Sequence, residues 1–255
     1  MLMKTTAEAL YTEIIQFCQS NANEELVKKY SRYFKDGKYN AWGISQALMD
    51  GKKDELKKRN ILTFDLIFET APMLMQSGKY EETSFALAML TQLSKNFTID
   101  VFHRLENWFS IGITNWAHAD YLGMFLLPMF LKKKIVTKED FIPWITSPYK
   151  FQRRCVPVTF IKLLKEVPVD NLVSITDPLM KDDQREVHQG VGWFLREAWK
   201  LHPQPIEEYL LKYKDTAPRL IFQYATEKMT QENKLRFRKS KEIKAKDKQR
   251  KSKCK

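Results

Sequence analysis

The fold is decided by residues 186–200, EVHQGVGWFLREAWK. When this stretch is drawn at about 100° per residue, its apolar residues fall on one side of a helix and its polar residues on the other. The apolar side consists of Val187, Val191, Phe194, Leu195 and Ala198. This period is typical of an amphipathic α-helix and does not fit the alternation of a half-buried strand.

The same helical period continues outward from this stretch. One further stripe is formed by Phe85, Ala86, Met89, Leu90 and Leu93, and another by Leu122, Phe125, Leu126 and Met129. Alternation with a period of two is rare along the chain, so we predict an all-α fold.

Capping and stop signals separate the stripes. Helix breaks are predicted near Asn60, Thr98, Thr137, Pro168 and Pro203. The segments between them are roughly 30 to 40 residues long, which is room for two antiparallel helices each. A run of such helix pairs predicts an α-solenoid with a concave face. An irregular helical domain is the alternative.

The composition excludes several classes of protein. With 44% apolar and 29% charged residues, and only 8 glycines and 10 prolines, the chain is neither wholly disordered nor collagen-like. Cys18, Cys155 and Cys254 are too few and too scattered for a disulfide framework or a zinc site, which favours a reducing compartment. Because Glu8 and Glu13 interrupt the N-terminal region and the longest apolar run has 11 residues (121–131), we expect a soluble protein that is not exported.

The net charge of +12 is concentrated at the C-terminus. Residues 234–255 hold 12 basic and 2 acidic residues, whereas the rest of the chain holds 31 and 29. We therefore predict a helical domain over residues 1–230 and a basic tail over residues 231–255. The tail has few apolar residues and is expected to be disordered or only marginally helical. It serves either solubility or the binding of phosphates.

Trp193 and Trp116 are large aromatic residues at unusual positions. Trp193 lies on the polar side of its predicted helix, beside Arg196 and Glu197. It is either exposed in a cleft or packed under a neighbouring loop. Trp116 and Asp120 are four residues apart and share a helical face with small residues, which leaves space for a ligand. An N-capping or salt-bridging role is the alternative for Asp120.

Two basic clusters add to this set. Arg153 and Arg154 fall near a helix start, where Arg154 needs either a carboxylate partner or a phosphate. Tyr33 and Lys35 belong to an N-terminal basic and aromatic cluster, although Tyr33 is also suited to a core. No nucleophilic triad, phosphate loop or metal constellation is recognisable, so no cofactor or metal is predicted.

Four motifs together resemble a known family. They are SRYFK (31–35), NWAHAD (115–120), QRRCV (152–156) and GWFLREA (192–198). Their order resembles the AlkD-like DNA alkylation repair glycosylases, which have a HEAT-like superhelical fold, over roughly residues 7–225. The resemblance implies that Trp116, Asp120, Arg154 and Trp193 line a concave DNA-binding cleft, with Tyr33 at the family's N-terminal tyrosine. The sequence departs from the pattern at His118, where a relative has a small hydroxyl residue.

The resemblance implies hydrolysis of the N-glycosidic bond of N3- or N7-alkylated purines in duplex DNA. Asp120 would stabilise an oxocarbenium-like sugar and position water, while Trp116 and Trp193 bracket the lesion. Arg154 would hold the adjacent phosphate, and Tyr33, Lys35, Arg153 and Arg196 are further predicted DNA contacts. The family reads the cationic lesion through the backbone, without a base pocket.

Two other functions stay open at the level of sequence. One is a catalytically silent HEAT-like protein that binds DNA of unusual structure, and the other is a protein-interaction solenoid. For the glycosylase we expect duplex DNA as the partner, a monomer with no obligate protein partner, and a cytoplasmic, nucleoid-associated location.

Overall fold

The computed structural model describes residues 5–34 and 39–240, and every regular element within these ranges is helical. The α-helices are α1 (Ala7–Ser20), α2 (Glu24–Ser31), α3 (Gln46–Arg59), α4 (Phe64–Gln76), α5 (Tyr80–Gln92), α6 (Ile99–Glu106), α7 (Trp108–Ile111), α8 (Trp116–Tyr121), α9 (Leu127–Lys132), α10 (Ile142–Ile145), α11 (Lys150–Phe160), α12 (Val169–Thr176), α13 (Arg185–Leu201), α14 (Pro203–Tyr213), α15 (Arg219–Ala225) and α16 (Gln231–Arg236). Short 3-10 helices occupy Ser94–Asn96, Lys138–Phe141, Ile161–Leu163 and Asp177–Lys181. The predicted all-α fold is confirmed, and the succession of helices is consistent with an α-solenoid.

The five predicted helix breaks are confirmed. Asn60 ends α3 in the left-handed conformation with φ 51°, which asparagine tolerates better than most residues. Thr98 caps α6 by accepting a hydrogen bond from the Val101 amide. Thr137 forms a capping box with the residue three positions on. Pro168 directly precedes α12, and Pro203 is the first residue of α14.

The chain divides into two compact units. The N-terminal unit comprises the residues up to Leu122 together with Met129–Ile135. In it, α1 packs on α4 and α5, and α3 packs on α5. The predicted stripe on α5 supplies this core, since Phe85, Ala86, Met89 and Leu90 are all buried.

The C-terminal unit comprises Gly123–Pro128 together with the residues from Val136 on. Its central helix is α13, which packs on α11, α14 and α15. The predicted apolar stripe of this helix is confirmed as core, since its five residues are each at most 1% exposed: Val187, Val191, Phe194, Leu195 and Ala198. Gly192 permits a close approach to α15, because a Cβ at this position would lie 2.5 Å from the Tyr224 Cβ and 2.7 Å from the Ile221 carbonyl oxygen.

A π-helix at Leu122–Leu126 changes the predicted third stripe. Pro128, which has no N–H to donate, follows this turn in α9. The wider turn shifts the residues after Leu122 away from the regular 100° spacing. As a result Leu122 and Leu126 are buried but Phe125 is 55% exposed, so its prediction as part of the apolar stripe was wrong.

Of the predicted tail, the structure describes residues 231–240, which contain a short helix, the marginally helical alternative. Thr230 caps α16, and the helix is followed by Phe237, which is completely buried. Arg219 donates a hydrogen bond to the Phe237 carbonyl oxygen (2.8 Å), and the Ser240 amide donates to Asp215 (2.7 Å). One buried aromatic residue and these hydrogen bonds order a segment that contains few apolar residues. Residues 241–255 lie outside the described residues.

The helices that the structure describes differ from membrane spans in length and polarity. None of them combines the length and the apolar character that crossing a bilayer requires.

Candidate functional site

The start of α8 is built around one asparagine amide. The Asn115 side-chain oxygen accepts a hydrogen bond from the His118 backbone N–H (3.0 Å) and so caps the helix. The amide nitrogen of the same side chain donates to Nδ1 of His118 (2.8 Å). This double contact orients the first turn of α8. Trp116, 37% exposed, and Asp120, half-buried, lie one turn apart on this helix.

His118 anchors α8 to α5. Its side chain is 3% exposed, and its Nε2–H donates to the Tyr80 carbonyl oxygen at 3.0 Å. The imidazole also stacks on the Tyr80 ring, with 4.8 Å between the ring centroids, and lies 3.1 Å from the Ser84 hydroxyl. Burial lowers the pKa of His118 to about 4, so the ring is neutral at neutral pH. The residue that departs from the family pattern is therefore an uncharged structural contact.

A pocket with a volume of about 420 Å³ lies beside Trp116 in the N-terminal unit. We call it the aromatic pocket, because its walls include Tyr30, Tyr33, Phe34, Tyr39, Tyr80 and Trp116. Two predicted site residues, Tyr33 and Trp116, thus line the same pocket. The alternative that Tyr33 is a core residue is wrong, since Tyr33 is 57% exposed. The Arg32 guanidinium lies 4.9 Å from the Tyr33 ring centroid and donates to its hydroxyl.

The loop that completes this pocket is held by two buried carboxylates at the start of α5. Glu81 accepts hydrogen bonds from the backbone amides of Trp42 (2.8 Å), Gly43 (2.8 Å) and Ile44 (3.2 Å). Glu82 accepts from the Trp42 indole N–H (2.7 Å). These residues were not predicted from the sequence as part of a site, and neither were the aromatic residues Tyr30, Phe34, Tyr39 and Tyr80. The only signal was the density of aromatic residues between positions 30 and 39.

In the C-terminal unit, Arg153 and Arg154 take different positions on α11. Arg153 pairs with Asp182 at 2.6 Å, and both side chains are largely buried. Arg153 thus forms an ion pair with a carboxylate. Arg154 is 5% exposed and donates to the Glu186 carbonyl oxygen at 2.6 Å. Gly190 makes room for it, since a Cβ at that position would lie 3.0 Å from the Arg154 Cγ.

The remaining predicted site residues lie on α13 or outside the described residues. Trp193 is half-buried, next to the fully buried Phe194. Arg196 pairs with Glu197 (3.0 Å) and with Glu227. Lys35 lies outside the described residues. In the part of the chain that the structure describes, no group of three or more His, Cys, Asp or Glu side chains is arranged to hold a metal ion.

Comparison with known proteins identifies the family. The family model for the DNA alkylation repair enzymes matches residues 14–229. The chain belongs to the DNA alkylation repair enzyme family. This membership confirms the resemblance stated from the motifs, and it makes DNA the substrate of the family's repair activity.

The fold of this chain also resembles that of a solved structure. It is described as a predicted DNA alkylation repair enzyme from Enterococcus faecalis, and the TM-score is 0.71 at 15% sequence identity. The similarity covers 83% of this chain and 98% of that chain. At this identity the likeness shows that the fold is shared. No curated protein matches the chain significantly.

Proposed function

We propose that the chain is a monofunctional DNA glycosylase that removes N3- and N7-alkylated purines from duplex DNA by hydrolysis. The observation that supports this proposal best is that Trp116 and Asp120 lie one turn apart on α8. The first turn of this helix is oriented by Asn115. These positions give a carboxylate and a partly exposed indole a fixed spacing on a capped helix. Such an arrangement suits a reaction in which positive charge develops on a sugar.

The chemistry requires few groups from the protein. A purine alkylated at N3 or N7 is already cationic, so it leaves without protonation by a general acid. The sugar then carries the developing positive charge, which a nearby carboxylate stabilises. We assign this role to Asp120, together with the positioning or deprotonation of the attacking water. Trp116 and Trp193 contribute electron-rich aromatic faces that attract cations.

The DNA contacts follow from the same proposal. Tyr33 and the adjacent Arg32 are exposed, and we propose that they contact a phosphate group. Arg154 is assigned to the phosphate next to the lesion, although it is 5% exposed and donates to the Glu186 carbonyl oxygen, so a phosphate would have to draw it out of this contact. Lys35 is a further proposed contact. Arg153 and Arg196 already pair with carboxylates, so a phosphate would have to compete with those partners. We further propose that the protein acts without a cofactor, as a monomer associated with the nucleoid in the cytoplasm.

The direct test is base release from methylated duplex DNA, measured by chromatography of the released 3-methyladenine and 7-methylguanine. Asp120→Asn should lower the single-turnover rate on the order of 100- to 1000-fold, the usual effect of losing one preorganised electrostatic group. Duplex affinity should stay the same or rise slightly, because the substitution removes a negative charge. Wild-type release by the Asn variant would reject Asp120 as the catalytic carboxylate.

Asp54→Asn is the matched control. It makes the same charge change on an exposed position of α3 in the same unit, and it should release bases at the wild-type rate. If neither the wild type nor the variants release base but all bind duplex DNA, the chain is a catalytically silent DNA-binding protein. If DNA affinity is also absent, the protein-interaction solenoid is the better description.

A further inference from the structure

The interface between α13 and α15 contains a tyrosine, Tyr224, that the mechanism described so far does not use. Gln189, Trp193 and Arg196 follow one another at intervals of about one turn along α13, so they lie on one face of that helix. The Gln189 side-chain amide donates to the Tyr224 hydroxyl at 2.8 Å. Beyond Trp193, Arg196 pairs with Glu227, which lies just after the end of α15. Contacts with the neighbouring segment therefore flank Trp193 on both sides along the helix.

The position of Tyr224 depends on Gly192. A Cβ at position 192 would lie 2.5 Å from the Tyr224 Cβ, an overlap that glycine avoids. The Tyr224 side chain begins at Gly192 and ends with its hydroxyl on Gln189, so it runs along α13 on the side that also carries Trp193. The glycine that directly precedes this tryptophan thus brings a phenol hydroxyl close to the same helical face.

The Tyr224 hydroxyl retains one proton to donate. A phenol hydroxyl both donates and accepts hydrogen bonds, whereas the amide nitrogen of glutamine only donates. In the contact with Gln189 the hydroxyl is therefore the acceptor. Over residues 5–34 and 39–240, no hydrogen bond takes up the hydroxyl proton. Tyr224 is half-buried, and tyrosine hydroxyls are among the groups that bind phosphate oxygens in protein–DNA complexes.

Arg196 adds further donors to the same face. A guanidinium group carries five N–H donors, and the contacts with Glu197 and Glu227 occupy the Nε–H and one N–H of Nη1. Trp193 thus lies between a hydroxyl donor on one side and a guanidinium group on the other. This arrangement suits the sugar–phosphate backbone, which presents acceptors on both sides of each sugar.

We propose that the Tyr224 hydroxyl donates to a phosphate oxygen of the DNA strand that contacts Trp193, and that Gln189 orients the hydroxyl for this contact. This inference rests on the proposed glycosylase function and adds a residue that holds the backbone beside the lesion. Contacts to phosphates fix the register of a protein on a duplex. An enzyme that recognises its lesion through the backbone depends on that register. Tyr224 is a binding residue, and Gln189 is a positioning residue.

The first experiment measures duplex binding by the full-length protein, using fluorescence anisotropy. The probe is a duplex with a tetrahydrofuran abasic-site mimic in place of the lesion, so it offers no base to release. Tyr224→Phe should raise the Kd about tenfold, as expected for the loss of a hydrogen bond to a charged group. The slope of log K against log salt should stay at the wild-type value, because no charge is removed. An unchanged Kd overturns the proposal.

Tyr213→Phe is the matched control. It also removes a hydrogen-bonded tyrosine hydroxyl from the C-terminal unit, since Tyr213 donates to Asp177 at 2.6 Å. We expect this variant to bind the duplex like the wild type. Tyr224→Phe keeps the ring and its Cβ, so the packing against Gly192 is retained, and thermal unfolding checks the fold of both variants. A tenfold loss of affinity in both variants would reflect a general loss of structure and overturns the proposal.

Modified phosphates then locate the contact. Each phosphate within about four nucleotides of the tetrahydrofuran is replaced in turn by an uncharged methylphosphonate. At one position the wild type should lose at least threefold more affinity than Tyr224→Phe loses, because the variant has already lost this contact. If the wild type and the variant lose affinity equally at every position, the hydroxyl does not bind a phosphate and the proposal is wrong.

Gln189→Leu tests the positioning role. Alone, it should weaken duplex binding by less than Tyr224→Phe does, since the hydroxyl is still present but no longer oriented. Combined with Tyr224→Phe, it should cause no further loss, because Gln189 acts only through that hydroxyl. Additive losses in the double variant would show that Gln189 acts independently, which overturns its positioning role.

Base release from methylated duplex DNA separates this inference from the proposed function. A wild type that shows the coupling between Tyr224 and one phosphate but releases no base removes the glycosylase proposal and leaves Tyr224 as a DNA contact. A wild type that releases base but shows no such coupling keeps the glycosylase proposal and removes the role of Tyr224.

Discussion

The His118 imidazole is neutral in the folded chain because burial lowers its pKa to about 4, against about 6.5 for an exposed histidine. As the pH falls, His118 is therefore protonated in the unfolded chain at a higher pH than in the folded chain. The stability that depends on His118 is complete above about pH 6.5 and is lost as the pH falls toward about 4. At about 1.4 kcal/mol per pKa unit, the loss amounts to about 3 kcal/mol.

His118→Gln should abolish this part of the pH dependence, since the amide cannot titrate but still donates to the Tyr80 carbonyl. We expect the wild type to lose about 3 kcal/mol more than the variant between pH 7 and pH 4, measured by urea unfolding at each pH. His103→Gln, at an exposed position on α6, serves as the control and should follow the wild type. Parallel curves for the wild type and the His118 variant would contradict the neutral buried state.

Between helices, Gly192 determines how closely α13 and α15 pack. Gly192→Ala should destabilise the fold by about 2–3 kcal/mol, because the added methyl group meets a backbone carbonyl and a Cβ that cannot turn aside. Gly51→Ala is the control: it lies inside α3 with no neighbour within 4 Å, and should stabilise by about 0.5–1 kcal/mol. Both are measured by thermal unfolding. Equal shifts of Tm would show that the α13–α15 contact is not tight.

The segment after α15 gives a second prediction about an element. Deleting residues 231–255 should lower the free energy of unfolding by about 3 kcal/mol, since it removes the buried Phe237. Deleting only residues 241–255 should leave it unchanged. Urea denaturation of the two truncated proteins distinguishes these outcomes. If the longer deletion is as stable as the shorter one, the α16 segment contributes no packing to the fold.

The structure shows why some of these elements could be predicted from sequence and others could not. The breaks at Asn60, Thr98 and Thr137 depend on capping within three or four residues, so they are visible locally. The position of Trp193 outside the fully buried stripe of α13 also follows from the periodicity of its own helix. The exposure of Phe125 depends on a π-turn, and the burial of Phe237 depends on partners near Asp215 and Arg219. The same limit applies to the aromatic pocket, whose walls come from positions 30 to 121.

For the molecule as a whole, the basic excess beyond residue 240 should govern the salt dependence of DNA binding. Residues 241–255 contain eight basic and two acidic residues. Deleting them should weaken duplex binding, and the slope of log K against log salt should become shallower by about 0.9 for each phosphate that the shortened protein no longer neutralises. Fluorescence anisotropy across a series of salt concentrations measures this slope. An unchanged slope would show that the segment does not bind DNA.

The cap of α8 has a consequence for which substitutions the chain tolerates. Asparagine and aspartate are usually interchangeable at the start of a helix, because both offer an oxygen to the first amides. At position 115 the amide nitrogen of the side chain also makes a hydrogen bond, because it donates to Nδ1 of His118. An aspartate would face that nitrogen with an acceptor and would favour a proton on it, which turns the buried ring into a cation. Position 115 thus requires asparagine and not aspartate, because Nδ1 of His118 carries no proton and needs a donor.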